Sequence, residues 1–288
     1  MSGQDKLEEY EKKIAETLSN QSTNVSGSGK VRIEGVGDVH ITGSGSVSRD
    51  EIKISGAGTI PGGIRTKRIL CAGRVSIAGD AEADEMRFSG SATIQGSIDA
   101  RLLEASGTLT VGGEVRGSRV EAAGLFKSEE GICLNDVLSV YGYLRVSKDV
   151  NVEKSVKLRG GFDINGRVIT ENFEARLRRT EWLKHSEFRV ENGIEAVNVD
   201  VRKRTDRGIS ILGIPALGKI FRKGRLYTTD IVAKDRVYLE NVTCNNVHGR
   251  VVVLGEGCEV RGRVQYSESV STHPTSRLSL APEKVYAQ

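Results

Sequence analysis

Aromatic residues make up only 5% of the 288-residue chain, with one tryptophan and four prolines. A core of large rings is therefore excluded, and the interior must come from many small aliphatic side chains. No apolar run approaches the roughly 18 residues needed to cross a bilayer as a helix, and the chain does not open on a signal peptide. The expected setting is the cytoplasm, so a sequon such as Asn241-Val242-Thr243 carries no meaning. The cysteines Cys71, Cys133, Cys244 and Cys258 form no CxxC pair and no zinc spacing. Histidines 40, 185, 248 and 273 are scattered without ligand spacing. HExxH and GxSxG are absent. Gly27-Ser28-Gly29-Lys30 is no phosphate loop, because that pattern needs Gly where Asn24 stands and Ser or Thr where Val31 stands. The expectation is no catalytic residue, no cofactor, no metal and no nucleic-acid partner.

Glycine, in contrast, is plentiful: 34 residues, about 12% against a usual 7%, without the every-third spacing of collagen. Gly56, Gly73, Gly90, Gly107 and Gly124 recur at intervals of 17, and Gly62, Gly79, Gly96 and Gly113 do the same. Apolar columns keep step, as in Ile52, Ile69, Met86, Leu103, Val120 and Val137, or Ile60, Ile77, Ile94 and Val111, or Ala81, Ile98, Val115 and Ile132. Gly37, Ile41 and Gly43 align upstream at an offset of 19, and Gly142, Gly160 and Gly166 continue downstream at 18. Inside each unit apolar and polar residues alternate, the mark of a half-buried strand. Seventeen positions leave no room for a hairpin sheet or a crossover helix. They suit one coil of a β-helix, with each strand paired to its equivalent one coil on, about 4.8 Å away. Corner glycines would supply φ > 0, and outward Lys, Arg, Asp and Glu would vary freely. Cys71 falls in an apolar column and should be a buried thiol.

The fold expected is all-β, a single-stranded β-helix of about 17 residues per coil. Residues 1–29 read as a helix over 4–18 and a linker, with Leu7, Tyr10, Ile14 and Leu18 on one face. Residues 30–170 form the solenoid, 171–228 are irregular strands with an insertion, and 229–268 return to solenoid coils. Residues 269–288 lack an apolar period and read as a disordered tail. In the insertion Pro215 starts a basic amphipathic stretch where Lys219, Phe221, Arg222, Lys223 and Arg225 are candidate contacts to an anionic membrane or acidic partner. The charge supports this asymmetry: the first 150 residues carry 18 Lys+Arg against 21 Asp+Glu, the remainder 24 against 17.

The recurring glycine corners, as in Gly90-Ser91-Ala92-Thr93-Ile94-Gln95-Gly96, resemble those of the bactofilins, the polymer-forming cytoskeletal proteins. Asp235-Arg236-Val237-Tyr238-Leu239-Glu240-Asn241, followed by Val251 to Cys258, is similar to the larger bactofilin-like proteins of spore-forming bacteria. That resemblance implies a right-handed β-helix that self-assembles end to end without nucleotide. It implies a scaffold, often at the inner face of the membrane, for cell-envelope or morphogenesis proteins. The polar segment Met1–Tyr10 departs from the apolar N-terminal peptide of membrane-bound members. Two other readings are a solenoid interaction module that does not polymerise and a β-helix enzyme acting on carbohydrate.

Overall fold

The structure, a computed structural model, describes residues 22–33, 37–177, 188–203 and 224–286. They are all-β and form a β-solenoid with about 17 residues per turn. They divide into two compact units, one ending at Gly113 and the other beginning at Glu114. The expected helix over 4–18 lies outside the described residues.

The first unit contains β1 (Thr23–Ile33), β2 (Gly37–Val47), β3 (Glu51–Ile60), β4 (Ile64–Ile77), β5 (Ala81–Ile94) and β6 (Ile98–Val111). From β3 to β6 the pairing is parallel with a constant shift of 17, so Gly56, Gly73, Gly90 and Gly107 lie one above another. Along β4 the buried residues are Ile64, Ile69, Cys71, Val75 and Ile77. The alternation breaks at Lys67-Arg68 and at Ala72-Gly73-Arg74, where consecutive residues face solvent and the strand turns a corner. Successive coils then stack like on like, for example Ile69, Met86 and Leu103, all fully buried. Burying such ladders is the main favourable term.

The upstream alignment at an offset of 19 is corrected. β1, β2 and β3 pair antiparallel, with Gly27 opposite Gly43 and Gly43 opposite Gly56. Ile41 stands opposite Gly58 rather than above Ile60. Parallel coiling therefore starts at β3, not at residue 30. An alternating strand looks the same whichever way it runs, so pattern alone could not fix its direction.

The second unit contains β7 (Val115–Ser128), β8 (Ile132–Val146), β9 (Val150–Ile164), β10 (Val168–Leu177), β11 (Phe188–Val190), β12 (Ile194–Lys203), β13 (Leu226–Thr228), β14 (Asp230–Leu239), β15 (Val242–Cys244), β16 (Asn246–Leu254), β17 (Glu259–Val260), β18 (Val264–Thr272), β19 (Arg277–Leu278) and β20 (Glu283–Lys284). Among the described residues the pairings here are parallel, and no coil is skipped between β7 and β18. The stretch expected to be irregular, 171–228, thus contributes regular rungs. Its extra residues fall at one corner, the one Gly142 and Gly160 occupy in preceding coils: 178–187 lie between Leu177 and Phe188, and 204–223 between Lys203 and Gly224. Val137 is also corrected. A one-residue bulge between Gly117 and Arg119 places Leu138, not Val137, above Val120.

The expected disordered tail is a further correction. β18 runs to Thr272, and β19 and β20 follow it. Backbone bonds hold this last coil: Arg277 N–H to the Cys258 carbonyl at 2.8 Å, Ser279 N–H to Val260 at 3.0 Å and Val285 N–H to Tyr266 at 2.8 Å. Its apolar period is faint, and among the described residues no further layer packs against it.

Candidate functional site

The predicted glycines sort into two mechanisms. Gly56, Gly73, Gly90, Gly107 and Gly124 have φ between 113° and 124°, a conformation that L side chains rarely adopt. Gly62, Gly79, Gly96 and Gly113 are not among the positive-φ residues. They mark close approach instead: a Cβ on Gly62 would sit 2.7 Å from the Gly79 Cα, and one on Gly113 would sit 2.4 Å from the Ser97 hydroxyl. At that same turn polar side chains extend the backbone ladder. Asp80 accepts from the Ser97 N–H at 2.7 Å, Asp149 from Arg167 N–H at 2.7 Å, and Asn246 from Arg263 N–H at 2.8 Å.

Outward charges are less free than the sequence suggests. Arg65 meets Glu82 at 2.7 Å, Lys67 meets Asp50 at 2.8 Å, Arg68 meets Glu51 at 2.9 Å and Arg119 meets Asp136 at 2.8 Å, each one coil apart. Asp136 is held below the usual carboxylate range by hydrogen bonds from Arg119 and then Lys154. Exposed pairs are individually weak, roughly 0–1 kcal/mol each. Their consistent use between rungs favours correct register over slipped pairing.

Of the candidate basic contacts, Lys219, Phe221, Arg222 and Lys223 lie outside the described residues. Arg225 belongs to the solenoid wall, donating to Thr243 Oγ1 at 2.9 Å and lying 3.7 Å from Glu259. Among the described residues no helix is long and apolar enough to cross a membrane, and no group of three or more His, Cys, Asp or Glu is placed to hold a metal ion.

Cys71 is buried as expected, and burial pushes its thiol up to about 12; Cys244 reaches about 12 for the same reason. Cys258 is buried as well, whereas Cys133 is exposed. One thiol per native chain should therefore react with Ellman's reagent at neutral pH, and all four after denaturation. Because the reactive species is the thiolate, a second rapidly titrating thiol in the native protein would contradict the packing of the columns.

Each unit carries outer strands paired on one side only among the described residues. At the start β1 is an edge, with Lys30 2.6 Å and Arg32 3.3 Å from Asp38. At the end the edge comprises β20, the second half of β18, and β19. Inward columns terminate there at Val270 and Leu278, each only partly buried, while Leu280 is 53% exposed. Thr272 replaces the apolar residue above Leu254. Ser276 caps Gly255, donating to its carbonyl at 2.6 Å.

A second feature lies on one side of the second unit. Between the column of Val152, Thr170, Ala196 and Ala233 and the column of Val156, Phe173, Val199 and Val237, the chain turns a corner. In β9 and β14 that corner takes two residues beyond the paired ones, Glu153-Lys154 and Lys234-Asp235; in β10 and β12 it takes one, Glu171 and Val197. Two short corners between longer ones leave a notch of about 280 Å³ whose lining includes Cys133, Ile169, Glu171, Val197 and Lys234. Sequence reasoning missed it, although apolar spacing carried the signal: four from Val152 to Val156, three from Thr170 to Phe173 and from Ala196 to Val199, and four again from Ala233 to Val237.

Over 57 residues the chain is 37% identical to the uncharacterized protein YhbF of Bacillus subtilis (strain 168), a match covering 20% of this chain and 23% of that protein. The similarity thus spans less than a quarter of the relative. No family description and no solved structure matches the chain.

Proposed function

We propose that this chain is a non-enzymatic scaffold, cytoplasmic in setting, that assembles with further copies of itself through the ends of its solenoid. The observation that carries the reading is the last coil. Its backbone N–H and C=O groups face outward along three sides with no strand beyond them among the described residues, around half-buried Val270 and Leu278. An open β edge is a template for another strand, and a contact that repeats without closing yields a filament. Stacking needs no nucleotide, because pairing and burial supply the driving force directly. The sequence resemblance to bactofilins agrees with this reading and adds cell-envelope or morphogenesis proteins as clients.

Negative-stain microscopy of the purified chain without nucleotide tests it. Filaments or ribbons are the expected result. Val270→Lys combined with Leu278→Lys should shorten or abolish them while leaving the far-UV circular dichroism unchanged, since charges on an edge oppose pairing. A strictly monomeric species across salt and protein concentration contradicts the proposal.

A further inference from the structure

We propose that the side notch of the second unit binds an extended polypeptide segment of a partner that presents one apolar side chain beside a lysine or arginine. The notch, about 280 Å³, lies at the small end of ligand sites. It holds an apolar side chain but not a helix. Its apolar character extends outside: Ile169 is 41% exposed and Val232 is 43% exposed, both in one outward column with Glu195 between them. Large aliphatic side chains on a solvent-facing column gain nothing for the fold, whereas a covering partner would remove them from water.

Charge identifies the partner's chemistry. Glu153 and Glu171 stand exposed at one end of the notch, and neither engages an ion pair among the described residues. The neighbouring cation, Lys154, is directed to Asp136 at 3.3 Å instead. Lys234 stands at the opposite end. A basic group is thus attracted to the β9–β10 end and repelled from the β14 end, which fixes the direction of the bound segment. Such rim charges set orientation and partner choice. The notch lies on a side of the coil, so the inference does not rest on end-to-end assembly.

Cys133 lines the notch and is the exposed cysteine of the four, which makes it a native reporter. The probe is a fluorescein-labelled peptide, Gly-Lys-Leu-Ser-Gly-Ser, used with the full chain, and the control carries Glu in place of the Lys. Reaction of Cys133 with Ellman's reagent should slow about tenfold when the Lys peptide stands at ten times its Kd, and the Glu peptide should give no protection. Glu153→Lys with Glu171→Lys should raise the Kd about tenfold with the melting temperature retained, since both side chains are outward. Ile169→Lys should weaken binding at least as much. Absence of saturable binding, equal protection by the Glu peptide, or an unchanged Kd in the charge-reversed protein overturns the proposal.

Discussion

Gly90→Val should abolish cooperative folding of the first unit, leaving a chain that is largely insoluble or unfolds at much lower denaturant than the parent. Two costs coincide at this position. The backbone holds φ at 117°, and a side chain in such a region costs about 1–3 kcal/mol. A Cβ there would also lie 2.3 Å from the Gly73 carbonyl oxygen, with the Gly73 carbonyl carbon at 3.0 Å. That neighbour is backbone in the next rung and cannot swing aside as a side chain can. Relief requires parting two coils, and each ladder bond lost costs roughly 1 kcal/mol more. With two such bonds lost the sum is about 3–5 kcal/mol, which at its upper end is exceptional for one substitution and is a large share of a domain's usual 5–15 kcal/mol. Gly63→Ala is the control: φ is 72° there but the space is open, so only a conformational penalty of about 1 kcal/mol applies. Guanidinium unfolding of both variants checks this. A Gly90→Val midpoint close to that of Gly63→Ala would mean that rung contact does not enforce the column.

The same reasoning explains what could be read from sequence. A period of 17 was legible because every coil meets the same constraints at the same offsets: Gly where one rung presses on the next, and aliphatic residues wherever a side chain points inward. What was not legible depended on direction or on a single residue of offset. β1 and β2 alternate just as parallel rungs do, and their Gly27 and Gly43 enter the corner column through antiparallel pairing. The second glycine series looked like more of the first, yet Gly79 and Gly96 are selected by crowding rather than by φ. Beyond Leu177 the period was lost because additional residues entered at a single corner, while the columns through Phe162, Phe188 and Leu226 continued unbroken. The notch arises from one residue fewer at Glu171 and Val197. A column search tolerant of small shifts absorbs such a deletion as noise.

That continuity at the excursions gives the second large effect, expected for Phe162→Ala. Phe162 is fully buried in β9, directly beneath Phe188 of β11. Its ring stands edge-on to Phe188 at 5.7 Å and to Phe173 at 6.5 Å. Phe188 continues its own column, whereas Phe173 belongs to a different side of the coil, so Phe162 ties two sides together. Truncation to Ala removes both aromatic contacts and leaves a cavity between rungs whose spacing is set by backbone bonds. The walls cannot collapse, and the cost should fall at roughly 3–5 kcal/mol. Phe162→Leu should cost only about 1 kcal/mol, because Leu144 and Leu226 already occupy the same column. Stability in a solenoid is close to a sum of rung and nearest-neighbour terms, so the loss should be local first. Amide hydrogen exchange is expected to quicken in β9, β10 and β11 before the remaining coils respond. Equal unfolding midpoints for Phe162→Ala and Phe162→Leu, or exchange that accelerates uniformly along the second unit, would show that these rings do not hold the sides of the coil together.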